Sequence, residues 1–137
     1  MIPCGLFVYA ALDSDRSERW DLMATEDDVR RIALSLPGAY EQPSYGGAPS
    51  FRTKPRSFAW IRDDPKALVL HVVSVEDKDE LIASEPAIYF TTPHYNGYAA
   101  VLARIDAIGR DELAEMLTES WRLRAPKTLI RQYDAER

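Results

Sequence analysis

Between residues 50 and 73 the chain carries three strand-like runs separated only by short turns, and no other feature restricts its fold as strongly. Residues 50–53 and 57–61 flank Lys54-Pro55-Arg56, and Asp63-Asp64-Pro65 separates them from a continuous apolar run, residues 67–73, that contains His71. Proline suits turns and cannot serve a central strand. Strands joined by so few residues pair antiparallel, because a parallel return needs a long crossover. Phe58 and Trp60 fall at period two and are expected on one face.

Helical signals bracket this core. Thr25 is a plausible N-cap and Asp28, three residues on, can reach back to it. Val29, Ile32, Ala33 and Leu36 fall at i, i+3, i+4 and i+7, which makes one buried face. Pro37-Gly38 ends the helix. Residues 39–50, rich in Pro, Gly and Ser, read as a loop holding Tyr40 and Tyr45. Ser74 opens a short helix to about residue 84, with Asp77 placed for a capping box and Val75, Leu81 and Ile82 as its apolar contacts. Residues 88–91 and 99–105 read as strands around a turn at 94–97. Residues 111–123 form an amphipathic helix with Leu113, Met116, Leu117, Trp121 and, at its end, Leu123 inward, and Pro126 starts a last helix to residue 133. The order is α-β(3)-α-β(2)-α plus a final short helix. It predicts a two-layer α+β fold, with a largely antiparallel five-stranded sheet and helices on one face.

At 137 residues the chain suits one domain. Residues 1–22 differ from the rest, apolar over 2–12 and then polar, and are expected to be an extension to a domain at 23–137. Leu6–Tyr9 could alternatively cover a sheet edge. The one cysteine, Cys4, excludes an internal disulfide and a cysteine-based zinc site. No run approaches the ~20 apolar residues of a membrane helix. The 2–12 stretch has neither a positive leader nor a small-residue cleavage site, so no membrane partner and a cytoplasmic location are expected.

Chemistry-bearing patterns are sparse. Gly46-Gly47 lacks both GxGxxG spacing and a following Lys-Ser/Thr. No serine sits in a nucleophile elbow. Two histidines fall short of a zinc ligand set, and His71, inside an apolar strand, reads as a hydrogen-bonded core or sheet histidine. No catalytic residue, metal or cofactor is expected, and the chain reads as a non-enzyme. Net charge is −5, but residues 43–62 contain Arg52, Lys54, Arg56 and Arg62 and no acid, and residues 120–137 are a local +3. Arg52, Lys54 and Arg56 alternate, so on an extended hairpin they would share a face and could touch phosphates, with Arg62, Arg124 and Lys127 helping. The plain reading is solvated charge that protects a hairpin edge. A second candidate is a pocket lined by Tyr40, Tyr45, His94, Tyr95 and Tyr98, for a small molecule or protein partner.

Leu36-Pro-Gly-Ala-Tyr-Glu41 after an opening helix resembles the LPG-x-x-E start of the MmcQ/YjbR family. Pro49-Ser-Phe51 with the basic hairpin, Thr91-Thr-Pro-His-Tyr-Asn-Gly-Tyr98, and Glu119-Ser-Trp-Arg-Leu-Arg-Ala-Pro126 resemble its later segments in order. The resemblance spans about residues 25–133. It implies the same α-β(3)-α-β(2)-α fold and a DNA-binding role through two wings, here the 51–61 hairpin and the 94–98 turn. It supplies no catalytic residues, and the acidic net charge departs from what DNA binding requires.

Overall fold

The computed structural model describes residues 23–136 apart from 45, 46, 55, 64 and 65. The extension 1–22, with its Leu6–Tyr9 arm and Cys4, lies outside the described residues. Helix α1 spans Glu26–Leu34 and begins with the expected capping box: Thr25 Oγ1 accepts from the Asp28 N–H, and the Asp28 carboxylate accepts from the Thr25 N–H. That carboxylate also accepts from Arg31 and from Arg110, 2.8 and 2.9 Å away, so it ties α1 to the start of a helix 82 residues later. These donors hold the Asp28 pKa far below the ordinary carboxylate value, Arg31 contributing most. Val29, Ala33 and Leu36 are buried as their spacing requires.

The remaining elements are β1 (Tyr40–Pro43), β2 (Pro49–Arg52), β3 (Ser57–Arg62), β4 (Ala67–His71), α2 (Val75–Ser84), β5 (Tyr89–Phe90), β6 (Ala100–Ala103), α3 (Arg110–Arg124) and α4 (Lys127–Ala135). The sheet is antiparallel throughout, in the order β1-β2-β3-β4-β6-β5. It therefore has six strands rather than five. The added strand is β1, which occupies the start of the segment read as a loop and pairs Tyr40 with Arg52 and Pro43 with Pro49. As an edge strand with most residues exposed it shows no alternation, and its proline sits where an edge tolerates one.

One sheet face packs on α1 and α3 through Phe51, Ile61, Leu68, Leu70, Val101, Leu113, Leu117 and Trp121. Phe58 joins this core, whereas Trp60 packs on the other face with Ala67, Val69 and Leu102. The shared face expected for Phe58 and Trp60 is thus corrected. Phe51 pairs with Ala59 and Arg52 with Ser57, so Phe58 is the extra residue of a bulge, which breaks strict alternation. Helix α3 is fixed to the sheet by Ser120. Its hydroxyl accepts from the His71 N–H at 2.8 Å and donates to the Phe58 carbonyl, spanning the gap where the β3–β4 ladder ends at Ala59 and Leu70.

The second face receives the β5–β6 loop, residues 91–99, which includes a 3-10 turn at Pro93–Tyr95. Lys78 holds this loop. It sits on α2 at helical spacing with Val75, Leu81 and Ile82, is only 2% exposed, and donates from Nζ to the carbonyls of Tyr95 (2.5 Å) and Tyr98 (3.1 Å). Burial pulls its pKa below the usual lysine value. Helix α2 forms as expected, but only half of its capping box is made, Ser74 Oγ accepting from the Asp77 N–H. No helix among the described residues is long and apolar enough to cross a membrane.

Two substitutions test these anchors. Ser120→Ala strands a buried donor and a buried acceptor and is expected to cost about 2–3 kcal/mol in urea unfolding. A loss under ~0.5 kcal/mol would contradict the bridge. Lys78→Met removes a buried charge together with its hydrogen bonds, two effects that oppose each other. Global stability should move by less than about 2 kcal/mol while the Tyr98 amide, bonded to the Tyr95 carbonyl, loses hydrogen-exchange protection. Unchanged protection would show that the loop holds itself.

Candidate ligand-binding site

The loop clamped by Lys78 brings His94 and Tyr95 over the second sheet face. Gly97, at φ +84, gives the chain the left-handed residue that returns it toward β6 and places Tyr98 beside them. Trp60 projects from β3 and His71 from the end of β4. The Trp60 indole N–H donates to the Tyr95 hydroxyl at 3.2 Å, which orients both rings. Trp60 meets His71 edge-on with centroids 5.7 Å apart, and His94 meets Tyr95 edge-on at 4.8 Å. Such edge-to-face contacts favour fixed ring planes. With Tyr98 and Arg124 these rings line a concavity of about 540 Å³, within the size range of small-molecule pockets.

The electrostatics are one-sided. Arg124 Nε donates to the Ser57 carbonyl and Arg56 Nη2 to the Arg124 backbone carbonyl, both at 3.1 Å, which holds the Arg56 guanidinium against the end of α3 where its charge acts on the Arg124 side chain. Neither is paired with a carboxylate among the described residues. Burial lowers the Arg124 pKa, and the neighbouring Arg56 charge lowers it further. His71 is pulled down to about 4, first by burial and then by Arg124 and Arg56. The imidazole is therefore neutral near pH 7. His71 is a sheet histidine as expected, but its Nε2 is buried with no hydrogen-bond partner among the described residues, which corrects the expected hydrogen bond. Its position at the strand end leaves the ring facing a concavity instead of packed core.

A second concavity of about 620 Å³ adjoins the first and shares Trp60, His94 and Tyr95 with it. Arg52 and Arg62 line it. Parts of the two sets of residues singled out from the sequence thus meet on one surface. His94, Tyr95 and Tyr98 share the first concavity; Arg52 and Arg62 line the second; Arg124 belongs to the first and Arg56 is bonded to it. Lys54 is exposed at the hairpin tip, beyond the end of β2, and Lys127 is exposed at the start of α4. The alternation of Arg52, Lys54 and Arg56 is not carried by a strand, since β2 ends at Arg52 and β3 starts at Ser57. Tyr40 lies on the edge strand and lines neither concavity. Tyr45 lies outside the described residues. Trp60, His71 and Lys78 complete the arrangement without having been marked as site residues in the sequence. For Lys78 a signal existed, since it is the only cation of α2 and stands on that helix's apolar stripe.

Comparison with known proteins places this geometry in a family. Two uncharacterised mycobacterial proteins, Rv2570 of Mycobacterium tuberculosis (strain ATCC 25618 / H37Rv) and Mb2600 of Mycobacterium bovis, are each 39% identical over 128 residues, covering 81% of this chain and 96% of theirs. The crystal structure of Deinococcus radiodurans protein DR2400, carrying the family-model domain DUF419, superposes with a TM-score of 0.63 at 27% identity, over 74% of this chain and 78% of that one. The YjbR family model matches residues 34–123, about two-thirds of the sequence. The chain belongs to the YjbR family.

Proposed function

We propose that this protein is a non-catalytic binding protein whose ligand is a small anion carrying a flat aromatic ring, such as a mononucleotide. The observation that carries the reading is the adjacent Arg56–Arg124 pair, without a carboxylate partner, beside a concavity walled by Trp60, His71, Tyr95 and His94. A ring can stack among these side chains while the anion meets the guanidiniums, whose bonds to an oxyanion are charge-assisted and among the strongest available. The buried Nε2 of neutral His71 offers one further polar contact.

A second reading extends the first. Arg52 and Arg62 line the adjoining concavity, so a single nucleic-acid strand could lay consecutive bases on Trp60 and Tyr95 with phosphates at the arginines. Recessed rings suit unstacked bases better than a closed duplex, so this reading narrows a DNA-binding role to single strands. The net charge of −5 disfavours a long polyanion, which is why the mononucleotide comes first. A cytoplasmic location fits either ligand.

Isothermal titration with adenosine 5′-monophosphate, adenosine and inorganic phosphate tests the first reading. The nucleotide is expected to bind, and each half alone to bind at least tenfold more weakly. Arg56→Ala, which removes one charge-assisted contact, should cost about tenfold or more in affinity. Equal binding of adenosine and the nucleotide would remove the arginines from the site. If an oligonucleotide of single-stranded DNA binds more tightly than the mononucleotide, with steep salt dependence that the Lys54→Ala/Arg56→Ala double variant flattens, the second reading takes precedence.

His71 gives a pH signature. Its folded pKa, about 4, lies below the ordinary 6.5. Between those values the unfolded chain binds the proton and the folded protein does not, so stability falls as pH drops through this window. Urea unfolding should show this loss in the wild-type protein and a shallower one in His71→Gln. Identical slopes would mean that His71 is not held neutral.

A further inference from the structure

Helices α2 and α3 leave an apolar groove of about 440 Å³ on the molecular surface, floored by Val72, Leu81 and Met116. At its lip stand Val73, 68% exposed, and Leu123, 37% exposed at the end of α3 instead of inward as its spacing predicts, two of the four large exposed hydrophobic residues described. Exposed apolar surface of this kind, rimmed by polar groups, marks interaction sites. Both walls are acidic, with Asp77 and Glu80 on α2 and Glu119 on α3. None of the three carboxylates makes an ion pair among the described residues.

We propose that this groove docks a cationic amphipathic helix supplied by another protein. Apolar side chains at i, i+3, i+4 and i+7 would enter the groove, and lysines or arginines on either flank would meet the two acidic walls. The commitment to a cationic partner follows from charge. Acidic side chains along both walls of the groove repel an acidic segment and steer a basic one toward it. The chain's own residues 1–22 hold four acids against two arginines, and a second copy docking groove to groove would set acidic walls against acidic walls. Neither complements the groove.

The probe is a synthetic peptide with leucines at i, i+3, i+4 and i+7 and lysines between them, followed by amide NMR of the full chain. A matched peptide with glutamates in place of the lysines serves as control. The lysine peptide should shift resonances of α2, α3 and residues 72–73 saturably, weaken with added salt, and lose about tenfold or more in affinity to the Glu80→Lys/Glu119→Lys variant. These residues are exposed, so the variant should fold, and Asp77→Asn gives a milder step in the same direction. The proposal is overturned if the lysine peptide leaves the groove resonances unmoved at low salt. It is equally overturned if the glutamate peptide binds as well, or if charge reversal changes nothing. A dimer that Val73→Asp dissociates would assign the groove to a second copy and overturn it too.

Discussion

A buried ammonium must find acceptors or lose its charge, and that requirement shapes the half of this molecule that carries the candidate site. Lys78 satisfies it with the Tyr95 and Tyr98 carbonyls, so the β5–β6 loop is drawn to α2 and its rings come to rest on the second face of the sheet. The first face is held by apolar burial beneath α1 and α3, with the buried Ser120 hydroxyl bridging α3 to the sheet. Trp60, Val69 and Leu102 on the second face are covered only in so far as Tyr95, Phe90 and their neighbours pack there. The Lys78 clamp, the Trp60–Tyr95 hydrogen bond and the ring contacts are therefore parts of one arrangement.

The antiparallel core was legible because its signals are local. Proline-bearing turns delimit β2, β3 and β4, and the Thr25–Asp28 capping box starts α1 within three residues. Where signals are weak, the reading fails for identifiable reasons. Strand β1 is exposed along most of its length and is held by pairing with β2, a tertiary contact without periodicity. Phe58 and Trp60 diverge because a bulge inserts one residue, and a bulge leaves no mark in the hydrophobic pattern.

The site was legible in part. His94, Tyr95 and Tyr98 cluster because they are neighbours on one turn, and turn chemistry is visible in sequence. Their convergence with Trp60, His71 and Arg124 depends on the β3–β4–β6 pairing and on the end of α3, which no short window contains. Arg56 and Arg124 are 68 residues apart in sequence, and only the approach of α3 to the hairpin joins them. Ser120, which sets that approach, looks in sequence like an ordinary small residue in an amphipathic helix.

The central claim is that the second sheet face, with its two arginines, recognises a ring and an anion together. The most direct measurement is an NMR titration with adenosine 5′-monophosphate that follows the tryptophan indole N–H signals, assigned with Trp60→Phe. The account predicts saturable movement of the Trp60 indole and of the His71 and Tyr95 amides, while the fully buried Trp121 indole, bonded to the Pro37 carbonyl, stays in place. A titration that leaves Trp60 unmoved, or that shifts resonances away from this face, would contradict it.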